Sequence, residues 1–251
     1  MIRLLSVLTG ALLLATSTIN FAQESATNEI LRMPDGSPDL RGIWQTVNTA
    51  VWNIQDHTGE LGIPAGQGVV AGNTLPYLPS ALEQRQKNYE NRLTEDSEAN
   101  CLMVGVPRIT YMPYPFQIAQ NDNQLIMLYE YVHTVRNIYL NKEHPAVEIQ
   151  WWMGDSRAVW DGDTLVVDVT KFNDKTWFDR SGNYHSEQLH VVERYTPTGP
   201  NHIHYEVTIE DPKVYSELWT MSMPIYRRQE SNMQLLEYEC YAYMEEAKDA
   251  E

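Results

Sequence analysis

The chain has 251 residues, of which 43% are hydrophobic and 10% aromatic, and its net charge is −16. That apolar content supports an ordered core and excludes a wholly disordered chain. An acidic balance of this size repels phosphate backbones and anionic lipid, which sets aside nucleic-acid partners and electrostatic membrane docking.

Residues 1–22 carry one charge, Arg3, then an apolar run from Leu4 to Ile19 and a small residue, Ala22, before Gln23. This is the pattern of a secretory signal peptide, and it predicts a periplasmic or secreted protein. No later window holds about 18 apolar residues in a row, so no membrane span is expected in the mature protein. Residues 23–78 are rich in Pro, Gly, Asn and Thr and read as an extended N-terminal arm with few regular elements. Residues 79–251 then read as a single β-rich domain. Its one helix is expected at 80–92, where Ser80 with Glu83 three residues later has the capping-box spacing after Pro79.

From Phe116 to Tyr243 the sequence reads as strands and turns. The run Leu125 to Leu140 is rich in β-branched and aromatic residues and predicts one long strand covered on both faces. On such a strand Glu130 and Arg136 would lie roughly 20 Å apart and need separate partners. Asp161-Gly162, flanked by apolar alternation, predicts a hairpin within 159–170. Further strands are expected at Gln188 to Tyr195, Ile203 to Ile209, Leu218 to Tyr226 and Met233 to Tyr241. Strands at this spacing give an all-β fold, an antiparallel, lipocalin-like barrel or strongly curved sheet with the arm and helix outside it. Cys101 and Cys240 are the only cysteines, and in an exported chain they are expected to form a disulfide.

Several motifs together resemble a group of exported bacterial proteins of unassigned function. They are Pro38-Asp39-Leu40 with Gly42 and Trp44, Cys101 with Pro107-Arg108, Tyr129-Glu130-Tyr131 with His133 and Arg136, and Trp160 through Asp168. The resemblance spans most of the chain beyond residue 22 and implies a shared fold, but it carries over no activity, ligand or catalytic residue. Asp161 stands where that group has Glu, a change that leaves the turn intact.

Three constellations bear on chemistry. His202, His204 and Glu206 alternate on one strand face in a spacing able to grip a metal ion, but the alternation continues through Thr208 and Glu210, so a solvated face explains it. His185 and His190 with Glu187 are no stronger. Gly154-Asp155-Ser156-Arg157-Ala158 resembles a nucleophile elbow only superficially, because a hairpin rather than a helix follows Ser156. No metal and no cofactor is expected, and no glycine-rich phosphate cradle occurs.

The third constellation consists of ionisable residues within apolar strands: Glu130, His133, Arg136, Asp168, His190 and Glu193. Unpaired buried charge is expensive, so these residues are expected to meet in one hydrated pocket. There His133 or Glu193 would be the base and Arg136 the anion stabiliser, while Tyr111, Trp160 and Trp177 would contact the ligand. Trp177 is the least core-like of the tryptophans. The function expected is action on a small molecule by a metal-independent acid/base enzyme of lyase or isomerase type. The alternatives are a carrier for a small apolar, aromatic or sugar-like ligand, and a structural envelope protein.

Overall fold

A computed structural model describes residues 29–249, so the signal peptide expected at 1–22 lies outside the described residues. Nine strands form one closed barrel. They are β1 (Gly42–Thr46), β2 (Phe116–Gln120), β3 (Gln124–Tyr129), β4 (Val135–Leu140), β5 (Asp155–Asp161), β6 (Thr164–Thr170), β7 (His190–Gly199), β8 (His202–Glu210) and β9 (Trp219–Arg227). Each pairs with its sequence neighbour, and β1 closes the ring against β9.

Nine strands cannot alternate direction around a closed ring, so a wholly antiparallel barrel is excluded by parity alone. The parallel pair is β4 with β5, and the other pairings are antiparallel. Joining two parallel strands requires a crossover, supplied here by the largely exposed residues 141–154. The pairing is short, Ile138 with Ser156 to Leu140 with Ala158, so Val135 to Asn137 have no partner on β5.

Period-two alternation along each strand sends one set of side chains inward. Trp44, Phe116, Ile118, Leu125, Met127, Ile138, Leu165, Val167, Val169, Val191, Ile203, Val207, Met221 and Ile225 are all buried and join one continuous core. Side chains therefore fill the lumen, as the burial of apolar area requires in a barrel of this size. The Asp161-Gly162 signal marks a two-residue hairpin, with Gly162 at φ 60° and Asp161 paired to Thr164.

Four expectations about elements are corrected. The run Leu125 to Leu140 is not one strand: the chain reverses at Glu130 to Thr134, through positive φ at Val132 (42°) and His133 (51°), and β3 pairs antiparallel with β4. The N-terminal arm contributes β1, whose Trp44 is buried, and so is part of the barrel wall. The helix begins at Pro79, with Leu78 as N-cap and no side-chain cap bond, so the capping box is not formed; Glu83 pairs with Lys87 instead. That helix, α1 (Pro79–Glu90), is followed by a short α2 (Arg92–Glu95), and a further helix, α3 (Cys240–Asp249), stands where the end of a last strand was expected. Residues 228–239 run irregularly, because a closed barrel offers them no free edge.

The Cys101–Cys240 disulfide is present and fastens this C-terminal segment to the loop that follows α2. Glu130 accepts a hydrogen bond from the Leu236 backbone nitrogen at 2.8 Å, and Tyr238 packs on Tyr131 and Tyr114, with ring centroids 5.6 and 4.8 Å away. No helix among the described residues is long and apolar enough to cross a membrane.

Candidate functional site

The six ionisable residues expected to converge are divided among three places. Arg136 and Glu193 meet inside the barrel, 2% and 0% exposed. Asp168 and His190 meet on its outer surface, and Glu130 and His133 sit at the β3–β4 turn. The single shared pocket is therefore corrected. Strand register decided the matter: Asp168 falls out of phase with the inward residues Val167 and Val169 on β6, whereas Glu193 is in phase with Val191 on β7.

Inside the barrel, Arg136 donates through Nη1 to Glu193 Oε1 at 3.1 Å and through Nη2 to Oε2, while its Nε donates to Ser156 Oγ at 3.0 Å. Tyr195 and Tyr205 each donate to Glu193 Oε1, at 2.9 and 2.6 Å. Burial opposes the Arg136 charge, but the Glu193 carboxylate beside it outweighs that and holds the guanidinium firmly protonated. Burial and the same carboxylate raise both tyrosines well above the usual phenol range. Each side-chain nitrogen of Arg136 and each carboxylate oxygen of Glu193 has at least one hydrogen-bond partner.

On the outside, β6 and β7 carry a chain of alternating groups. His144, from the crossover, places Nδ1 2.6 Å from Asp155 Oδ2 and Nε2 2.8 Å from Asp168 Oδ1; His190 Nε2 lies 2.8 Å from Asp168 Oδ2 and its Nδ1 3.3 Å from Glu210. Arg157 closes the far end on Asp155. The hydrogen bond with Asp168 raises the His190 pKa, and the same bond lowers that of Asp168. Among the described residues no group of three His, Cys, Asp or Glu is arranged to hold a metal ion. His202, His204 and Glu206 lie on the outer face of β8, and buried His185 is engaged by Thr176 and the Ser186 carbonyl.

The expected ligand contacts are also placed elsewhere. Tyr111 is buried and donates to the Phe178 carbonyl at 2.7 Å, Trp160 is partly buried against the core, and Trp177 is buried rather than the least core-like tryptophan. His133 is exposed beside Glu239, and Glu130 borders a shallow groove under residues 228–236.

A cleft of about 550 Å³ lies where the arm, the α1–α2 corner, the loop around Arg180 and the C-terminal segment come together. Trp52, Tyr114 and Tyr238 give it aromatic walls, with Leu61, Ile63 and Leu93 beside them. Its floor is charged and ordered. Arg108, fully buried, donates to both oxygens of Asp96 at 2.7 and 2.9 Å and to Glu98 at 2.5 Å. Glu98 also takes a bidentate pair from Arg180, with Nε at 2.8 Å, and the Arg180 guanidinium lies 4.0 Å over the Trp52 ring. Burial opposes ionisation of Glu98, but Arg180 and Arg108 more than offset it and hold its carboxyl below the ordinary range.

The Arg180 loop is itself fixed from within. Buried Asp179 accepts from the backbone nitrogens of Ile54, Ser181 and Asn183 and from the Asn183 amide, which ties arm and loop together at the cleft. Sequence reading missed this site because its residues come from positions 52, 92, 98, 108, 114, 180 and 238. The available signals were Trp52 in a loop-rich arm and the charged pair Asp179-Arg180 in the loop at 173–182.

A second cleft of about 490 Å³ opens where β4 and β5 part below the crossover, lined by Trp151, Trp152, Tyr139, Met103 and, from the interior cluster, Arg136 and Ser156. Comparison with protein-family models gave no match, and neither did comparison with curated proteins.

Proposed function

We propose that the protein is an exported binding protein that holds a small organic molecule in the cleft between Trp52, Tyr114, Tyr238 and Arg180. The observation that carries this reading is the preorganised floor: Arg180 is pinned between the Trp52 face and Glu98, and Glu98 is pinned in turn by buried Arg108. A concave, largely apolar surface with a few fixed polar groups is the usual form of a small-ligand site, and a volume of about 550 Å³ falls within the range such sites occupy. The Cys101–Cys240 disulfide supports an oxidising compartment, periplasmic or extracellular.

The test is a thermal-shift screen of small aromatic and sugar compounds on the wild type and on Trp52→Ala. Stabilisation by an aromatic compound that disappears in the variant supports the reading. Hits that persist undiminished in Trp52→Ala overturn it.

A second reading, metal-independent acid/base catalysis of lyase or isomerase type, has one observation in its favour. Arg136 and Ser156 belong to the interior cluster and also line the second cleft, which gives that cluster a side toward solvent. Turnover of a small molecule abolished by Arg136→Lys in a folded variant would favour catalysis.

A further inference from the structure

The binding reading leaves the chemistry of the ligand open, and one residue of the cleft bears on it. Arg92 opens α2 at the cleft's rim. Its guanidinium lies 4.2 Å over the Tyr89 ring, and Nη1 donates to the Tyr89 carbonyl at 2.8 Å. Among the described residues it makes no other side-chain hydrogen bond and no ion pair, so most of its five N–H donors remain unused. The stacking holds the planar group in place, which lowers the entropy lost when it grips a partner.

The cleft is lined by Arg92 and Arg180 and by the carboxylates of Asp96 and Glu98, with buried Arg108 behind them. Both carboxylates are already committed to Arg108 and Arg180. Arg92 is the lining arginine that no carboxylate engages among the described residues, and it stands beside the aromatic and aliphatic walls.

From this we infer that the ligand of the cleft is an aromatic carboxylate, its ring system against Trp52, Tyr114 and Tyr238 and its carboxylate on Arg92. The inference rests on the binding reading above and goes further by naming the ligand class. An arginine fork matches a carboxylate bidentately, and such charge-assisted bonds are roughly twice as strong as neutral ones. The flat ring supplies apolar area to walls that cannot hydrogen-bond it. A neutral amide of the same shape would fill the walls but offer the arginine a single uncharged acceptor. The cleft discriminates between the two by charge.

Titration calorimetry with 2-naphthoate and with its neutral isostere 2-naphthamide tests this, on the full chain with its disulfide intact. The wild type is expected to prefer the acid by about tenfold. In Arg92→Gln the ratio is expected to fall to about one, and in Arg92→Lys, which keeps the charge but not the fork, to an intermediate value. The preference should shrink as salt is raised, since Arg92 is only partly buried. Acid and amide binding equally well, both lost in Trp52→Ala, would overturn the carboxylate inference and leave the cleft reading standing. Binding of neither compound would overturn the inference, and binding indifferent to Trp52→Ala would overturn the cleft reading as well.

Discussion

Arg136 on β4 and Glu193 on β7 reach each other across the barrel interior and form a buried bidentate ion pair, completed by Ser156, Tyr195 and Tyr205. A buried pair is costly to desolvate and costlier still to break, because removing one partner strands the other. Glu193→Ala is expected to destabilise the protein by about 3–5 kcal/mol in urea denaturation, and Arg136→Met with Glu193→Leu to recover most of that loss. A double variant no more stable than Glu193→Ala would show that the pair contributes more than it costs.

The chain Arg157, Asp155, His144, Asp168, His190, Glu210 on the outer wall gives a pH dependence of definite sign. The pKa of His190 is raised above its ordinary 6.5, chiefly by its hydrogen bond with Asp168, so its contribution is complete below 6.5 and is lost as pH rises through the raised value. Asp168 is lowered below its ordinary 3.8, chiefly by the same bond, so its contribution is complete above 3.8 and is lost as pH falls through the lowered value. Both side chains are more than a third exposed, at 35% and 44%, and screening keeps the effect to about 0.5–1 kcal/mol. Melting curves of the wild type and His190→Gln should differ most between pH 3.8 and pH 6.5 and converge as pH rises through the raised His190 value. A constant difference across that range would remove His190 from the account.

Sequence patterning made the barrel legible where alternation is strict, as in Leu165, Val167 and Val169 or Ile203, Val207 and Ile209, and where Gly162 supplies the turn. It misled where a rule was locally broken. The β3–β4 reversal uses Val132 and His133 at positive φ with no Gly or Pro to mark it, so the run reads as one strand. Residues 233–241 have strand-like composition, but barrel closure left them no partner. Arg136 and Glu193 were found as candidates because a charge within an apolar alternation is visible in one dimension. Arg92, Glu98, Arg108 and Arg180 were not, because their association exists only once the arm, the α1–α2 corner and the loop are folded together.

The disulfide closes a segment of 139 residues, which in the chain-entropy account is worth roughly 5 kcal/mol. Cys101→Ser with Cys240→Ser is expected to lower stability by up to that amount and to release the C-terminal segment first. Hydrogen exchange should show faster exchange at 234–246, including Tyr238 at the cleft wall, before the barrel strands respond. Simultaneous loss of protection in β7 and β8 would contradict a local tether.

Gly182 adopts φ +82°, and a Cβ there would lie 2.7 Å from the Tyr89 backbone nitrogen, where α1 docks on the Arg180 loop. Gly182→Ala is therefore expected to cost roughly 1–3 kcal/mol and to weaken ligand binding in the cleft by displacing Arg180. Unchanged melting and unchanged binding would show that the helix and loop are not coupled as described.

The most direct measurement of the central claim is a two-dimensional NMR titration of the labelled protein with 2-naphthoate, following backbone amides together with the Trp indole and Arg Nε–H signals. The account predicts perturbations concentrated at Trp52, Arg92, Tyr114, Arg180 and Tyr238, with Trp151 and Trp152 unmoved. Perturbations centred instead on Met103, Tyr139, Trp151 and Trp152, or none at all, would contradict it.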